Sequence, residues 1–245
     1  MNTVKIDKQG VRMIAHRGVS GLETENTAAA FIAAGNRTYW GIETDVHLTA
    51  DGELILVHDS NTLRVTGKEM IVEESRYEDL RSLTVKDFYG EGERADLRLP
   101  SLSEYVGICK KYEKEAVLEL KETFEKEVLR KVINVFREHE YLEHVVFISF
   151  HLQNLIDLRE LLPDCRAQYL LKNINEERFE LLKKHRLDLD IDHRVHRENR
   201  SLTKEWVDRI HGEGLCVNCW TVNDVESAEQ LISWGVDQIT TNILE

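Results

Sequence analysis

Short apolar segments of strand length recur along this chain, at residues 12–16, 41–46, 54–57, 116–121, 145–150, 166–171, 187–191, 215–220 and 236–240. In several of them apolar and polar side chains alternate, the period of a strand with two different faces. Between them lie stretches with helical spacing, at 28–36, 77–83, 101–111, 124–138, 152–162, 176–185, 203–212 and 224–234. The first of these keeps Ala28, Phe31, Ile32 and Gly35 at that spacing. Capping residues stand where helices should begin: Asn26 or Thr27, Ser101 or Ser103, and Thr203. Pro163 stops one helix, and Ala50-Asp51-Gly52 is a tight-turn signal that returns the chain through 54–57. Strands alternating with helices imply parallel strands joined by crossover helices. About eight such units in 245 residues favour an α/β fold closed as a (β/α)8, or TIM, barrel over an open sheet.

Residues 61–99 break the pattern. Glu, Lys, Arg and Gly dominate there, and only the short stretch near 77–83 has helical character. A segment this long is an excursion from the main body, placed as a small insertion after the second strand. No internal repeat, Pro-rich linker or low-complexity tract divides the chain, so a single catalytic barrel domain over 1–245 is expected. The formal net charge of −13 disfavours nucleic acid or an anionic membrane as partner, so local basic groups must recognise any phosphate. No segment approaches the roughly 18 apolar residues of a membrane span, and the first residues lack the apolar core of a secretory signal. A cytoplasmic location is the expectation. Cys216 and Cys219 match C-x-x-C, but residues three apart on a strand face opposite ways. Buried free thiols are therefore expected there, not a redox or zinc site.

Candidate chemistry concentrates between Met13 and Asp59. Glu43 and Asp45 share one strand face, while Ile42, Thr44 and Val46 take the other. Neighbouring carboxylates repel unless one is protonated or a cation sits between them. Hard divalent cations prefer oxygen ligands of this kind. His16 and His58 end the flanking apolar segments, and imidazoles titrate near neutrality, so the pair can supply both a proton acceptor and a proton donor. Arg17 offers a planar fork for an anion. Carboxylates for a metal, an acid/base pair and an arginine are the components of phosphoester hydrolysis.

These residues, in this order and spacing, resemble a known signature. His16-Arg17-Gly18, Glu25-Asn26-Thr27, Glu43-x-Asp45-Val46, Thr49-x-Asp51-Gly52 and His58-Asp59 look like the motifs of glycerophosphodiester phosphodiesterases. Leu118-Glu119-Leu120-Lys121 is similar to that family's third-strand motif, which implies Glu119 as a further metal ligand and Lys121 as a phosphate contact. An ion pair between Glu119 and Lys121 on one strand face is the other reading. Asn218-Cys219-Trp220-Thr221-Val222-Asn223 resembles the seventh-strand motif, which implies that Trp220 lines the pocket; core packing would also explain it. In the family the insertion covers one edge of the active-site mouth. Two departures stand out. Thr24 occupies a position where the family usually has proline, and Thr241-Asn242-Ile243-Leu244 replaces Thr-Asp-x-Pro. Both bear on loop rigidity. His193 and His196 are given no role.

The resemblance implies hydrolysis of a small glycerophosphodiester to glycerol 3-phosphate and an alcohol. It implies one divalent metal ion, Mg²⁺ or Ca²⁺, held by Glu43, Asp45 and Glu119. His16 and His58 are the expected acid/base pair, and Arg17, Lys121 and Trp220 the expected substrate contacts. A lysophospholipase D, a catalytically silent phosphate-binding barrel and a sugar-phosphate isomerase are the alternatives. The first lacks an evident apolar or basic surface segment, and the last leaves the histidine pair unexplained. Headgroup, oligomeric state and the division of acid and base between the histidines stay open at this level.

Overall fold

Strands buried on both faces must be apolar towards the helices, and may carry polar groups only where those find partners or a cavity. The chain obeys this rule strand by strand. In the computed structural model, which describes residues 2–87, 94–193 and 202–245, nine strands form one sheet. They are β1 (Arg12–Ala15), β2 (Gly41–Leu48), β3 (Leu54–Leu56), β4 (Glu115–Leu120), β5 (Val145–Ser149), β6 (Arg166–Leu171), β7 (Asp188–Asp192), β8 (Val217–Trp220) and β9 (Gln238–Thr241). All except β3 run parallel, in the order β1-β9-β8-β7-β6-β5-β4-β2. Pairing of Ile14 with Gly41 and Ala15 with Ile42 joins β2 back to β1 and closes a TIM barrel. No helix among the described residues is long and apolar enough to cross a membrane.

β3 lies outside the barrel. β2 continues to Leu48, and the chain reverses at residues 49–53, where Gly52 adopts φ +79°. β3 then pairs antiparallel with the end of β2, Val46 opposite Leu56. His58 therefore reaches the barrel rim from a hairpin, with the Val57 amide donating to the Asp45 carbonyl at 3.2 Å. The insertion follows this hairpin. It contains α2 (Leu63–Thr66) and α3 (Tyr77–Ser82), and it closes its own small core around Val65, Val72, Leu80, Val85, Leu97 and Leu99. The α2 turn has no expectation in the sequence pattern, because four residues are too few to show a period.

The remaining helices are α1 (Ala28–Gly35), α4 (Leu102–Lys111), α5 (Lys126–Glu138), α6 (Leu152–Leu161), α7 (Glu176–His185), α8 (Lys204–Gly212) and α9 (Val225–Trp234). α5 buries Leu129, Val132, Ile133 and Phe136, one stripe at i, i+3, i+4 and i+7. Caps resolve the open choices. Thr27, not Asn26, caps α1, and Ser101 forms a capping box with Glu104 at α4. Thr203 caps α8 through the Trp206 amide. In α1 the buried face is Ala30, Phe31, Ala34 and Gly35, while Ile32 is exposed. A helix made only of Ala, Phe, Ile and Gly has no polar side to mark its orientation, so spacing alone misplaces Ile32.

Inside the barrel, Ile14, Val117, Val146, Ile148 and Leu170 make an apolar half. Gln168, Asp190, Asn218, Gln238 and Thr240 make a buried polar half, with Gln168 Nε2 donating to Gln238 Oε1 at 2.8 Å. Outside it, α1 packs on α4. A β-carbon at Gly35 would lie 2.5 Å from the Tyr112 ring, closer than real contacts allow. Replacing helical glycine by alanine ordinarily stabilises by up to about 1 kcal/mol. Gly35→Ala should instead destabilise by about 1–3 kcal/mol in urea unfolding, the usual result of overpacking; a rise in stability would show that Tyr112 yields freely.

Candidate active site

Alternation along β2 puts Ile42 and Val46 against the helices and turns Glu43 and Asp45 inward at the barrel's C-terminal end. Glu119 stands opposite Asp45 in the β2–β4 register. One carboxylate oxygen from each of Glu43, Asp45 and Glu119 lies within 4.8 Å of the others, and all three residues are buried. A second group, His47, Glu73 and Glu122, further along β2, meets the same distance criterion, with Glu73 partly exposed.

Three buried carboxylates cannot all ionise freely. Burial, then the charge of Asp45, raises the Glu43 pKa well above the carboxyl range. The same two causes raise Glu119 to about 7. Burial also opposes ionisation of Asp45, but Lys121 and Arg17 outweigh it and hold Asp45 well below the usual range. Lys121 Nζ is 2.9 Å from Glu119 Oε1 and 3.3 Å from Asp45 Oδ1. Asp45 Oδ1 still makes no aligned hydrogen bond. Protons retained on Glu43 and Glu119 stand where positive charge is short. An all-oxygen donor set with one orphaned buried oxygen fits a hard divalent cation.

The chain between β1 and α1 is built around these carboxylates. Arg17 and Asn26 both adopt the left-handed region, φ +53° and +51°, which non-glycine residues enter only under constraint. Gly18 follows at φ +76°, and a β-carbon there would meet Ala30 Cβ at 2.6 Å, so α1 approaches closely. The strained turn directs the Arg17 amide to Glu43 Oε2 at 2.7 Å. Asn26 Nδ2 donates to Asp45 Oδ2 at 2.8 Å, and Asn26 Oδ1 accepts from the Thr44 hydroxyl at 2.7 Å. The Arg17 guanidinium pairs with Glu25 at 2.8 Å, and its Nε lies 3.5 Å from Asp45 without a hydrogen bond.

His16 and His58 flank the cluster with different partners. His16 Nδ1 is 2.7 Å from Asn242 Oδ1, an amide oxygen, so Nδ1 carries the proton and Nε2 keeps its lone pair. Nε2 is 4.0 Å from Glu43. Burial, then the charge of Arg17, lowers the His16 pKa to about 4. His58 Nδ1 donates to the Asp59 carboxylate at 2.6 Å, and burial lowers the pKa of this imidazole too. Arg64 of α2 ties the insertion to both sides of the site. Its Nε holds Asp59 at 2.6 Å, and its two terminal nitrogens hold Glu25 at 2.8 Å.

A cavity of about 320 Å³ opens over this arrangement. His16, Arg17, Glu43, His58 and Glu119 line its charged end. Phe150 and Trp220, in edge-to-face contact with centroids 5.7 Å apart, line the other with Ile148, Leu170 and Asp190. Of the residues singled out from sequence, Lys121 and Asp45 are absent from the lining, and Lys121 is engaged in ion pairs with Asp45 and Glu119. His193 makes contacts with the Trp220 carbonyl away from the cluster, and His196 lies outside the described residues. Sequence reasoning gave no role to Arg64, Asn242 or Asp190. Asp190 carried a signal as a carboxylate at an inward position of an apolar strand, and Asn242 as a departure from the family motif; Arg64 carried none.

If the three carboxylates bind a cation, saturating Mg²⁺ or Ca²⁺ should raise the thermal unfolding midpoint, by about 2.7 kcal/mol of stability at a hundredfold excess over Kd. Glu43→Gln should abolish that increment. An equal increment in the variant would place cation binding elsewhere, with the His47 group the next candidate.

The family model described as the glycerophosphoryl diester phosphodiesterase family matches residues 16–245. A glycerophosphodiester phosphodiesterase of Caldanaerobacter subterraneus is 29% identical over 233 residues, covering 94% of this chain and 93% of that one. Among solved structures, a glycerophosphodiester phosphodiesterase from Parabacteroides distasonis has TM-score 0.78 and 25% identity, over 99% of this chain and 94% of that one. An Oleispira antarctica phosphodiesterase, solved in complex with the product sn-glycerol-3-phosphate, shares the fold at TM-score 0.81 and 24% identity, over 94% and 92% of the two chains. The chain belongs to the glycerophosphoryl diester phosphodiesterase family and is a phosphodiesterase.

Proposed function

We propose that this enzyme carries out metal-dependent hydrolysis of small glycerophosphodiesters, releasing glycerol 3-phosphate and an alcohol. The observation that carries the reading is the convergence of three buried carboxylates beside two differently partnered histidines and Arg17 in one cavity. The product-bound Oleispira relative supports a glycerophosphate ligand of this size. A divalent cation held by Glu43, Asp45 and Glu119 would neutralise phosphate charge and stabilise the charge that develops in displacement. Arg17 offers its fork to the remaining phosphate oxygens, pre-positioned by Glu25. Lys121, already seated on the carboxylates, adds positive charge from behind them. Trp220 lines the cavity.

The partners of the histidines divide their roles. A carboxylate stabilises imidazolium; an amide oxygen does so far less. His58, on Asp59, is the proton donor to the leaving alkoxide. His16, on Asn242, is the acceptor that takes a proton from the nucleophile through its free Nε2. The insertion, in one catalytic domain with the barrel, holds His58 in place through Arg64 and Asp59.

Release of glycerol 3-phosphate from glycerophosphocholine, with and without EDTA, tests the reaction; turnover unaffected by EDTA would remove the metal from it. His16→Ala and His58→Ala should each lower kcat by about 10²-fold or more. Asn242→Asp tests the division of roles. A base works only when neutral, so activity falls as pH drops through its pKa. A carboxylate on His16 Nδ1 raises that pKa, and the acidic limb of the kcat/KM profile should move up by about one pH unit. Movement of the basic limb instead would reverse the assignment.

Substrate size separates this reading from lysophospholipase D. Among the described residues the apolar lining of the cavity is Ile148, Phe150, Leu170 and Trp220. Glycerophosphocholine and glycerophosphoethanolamine should give similar kcat/KM, and lysophosphatidylcholine should be a poor substrate. A clear preference for the lysolipid would overturn the small-substrate reading.

A further inference from the structure

The polar half of the barrel interior contains one carboxyl that its neighbours do not satisfy. Leu189 and Ile191 of β7 face the helices, so Asp190 between them faces inward. It is 1% exposed, yet it lines the cavity that holds His16, Arg17 and Glu119. The Asn218 side chain hydrogen-bonds the Asp190 carboxyl, and Asn218 is itself fixed by Nδ2 donation to the Thr240 hydroxyl at 3.0 Å. Asp190 Oδ1 has no partner. Leaving a buried polar atom unpaired carries the full cost of its desolvation, and such atoms are few in folded proteins.

The surroundings say what kind of group would satisfy it. Burial, with the charge of Glu119 adding to it and Asn218 opposing it, raises the Asp190 pKa well above the carboxyl range. Its unpaired Oδ1 is an acceptor that a hydroxyl can satisfy. Among the described residues no basic side chain acts on it, which makes it a poor partner for phosphate. Ile148 and Leu170 line the same end of the cavity, with Trp220 beside them. Apolar walls and one unpaired hydrogen-bonding oxygen suit a small polyol, with its carbons against the walls and a hydroxyl at Asp190. The ionic end of the cavity takes the phosphate.

We propose that Asp190 reads a hydroxyl of the substrate's glycerol, making the β5–β8 end of the cavity the polyol subsite. The identity of the polyol rests on the functional reading above; the presence of a hydroxyl subsite does not. An unpaired group of this kind discriminates strongly against ligands that lack the matching hydroxyl.

Calorimetric binding of glycerol 3-phosphate and of methyl phosphate at fixed Mg²⁺ provides the test, because neither needs turnover. In the wild type the glycerol ester should bind more tightly. In Asp190→Leu that ratio should fall by about tenfold or more, while Asp190→Asn, which keeps a hydrogen-bonding group, should hold it within about threefold. Thermal unfolding of Asp190→Asn should stay near that of the wild type, since the amide keeps a partner for Asn218. Equal weakening of both ligands, an unchanged ratio, or loss of folding in both variants would overturn the assignment. Failure of the wild type to hydrolyse glycerophosphocholine with the binding ratio intact would sink the functional reading and leave Asp190 in place.

Discussion

The structure depends on the repulsion among Glu43, Asp45 and Glu119. Three carboxylates buried within 4.8 Å of one another are held only by compensating charge, by protons, or by a cation. Lys121 and Arg17 provide part of the compensation, and the raised affinities of Glu43 and Glu119 for protons mark what is left over. Much of the nearby backbone follows from this. The left-handed Arg17 and Asn26 are unfavourable by themselves, and each aims a donor at one of the carboxylates. Strain in the β1–α1 turn is thus offset by hydrogen bonds to the buried carboxyls, the one from Asn26 to ionised Asp45 being charge-assisted.

A second layer extends this arrangement into the insertion. Arg64 sits on a four-residue helix far too short to be stable alone, yet it binds Asp59 and Glu25 together. Asp59 orients His58, and Glu25 orients Arg17. The position of the insertion is therefore coupled to both His58 and Arg17. Its small core, separate from the main one, supplies the packing that keeps α2 in place.

The polar and apolar halves of the barrel interior also have a functional logic. The apolar half, including Ile148 and Leu170, fills space and forms a wall of the cavity. The polar half, from Gln168 to Thr240, is satisfied mostly within itself, and its unsatisfied atoms include Asp190 Oδ1 at the cavity floor. A departure from the family pattern meets the same region from above. Asn242, where the family usually has aspartate, contacts His16 directly. What looks in sequence like a change in loop rigidity is a change in the electrostatic partner of a site histidine.

The order of strands and helices was legible in the sequence because hydrophobic periodicity records which face each element buries. The stripe on α5 and the alternation Ile42-Glu43-Thr44-Asp45-Val46 needed no tertiary information. The same alternation, with the motif spacing, marked Glu43, Asp45, His16, Arg17 and His58 as one chemical set. α1 shows the limit: with no polar face to contrast, its buried side was set by the fit of Gly35 against Tyr112. Closure of the barrel was decided by the pairing of β1 with both β2 and β9, a contact between the two ends of the chain. Arg64, Asn242 and Asp190 became visible only then. Each acts through a partner far away in sequence or through the lack of one, and neither a hydrogen bond across the fold nor an empty place beside a buried oxygen leaves a period in the chain.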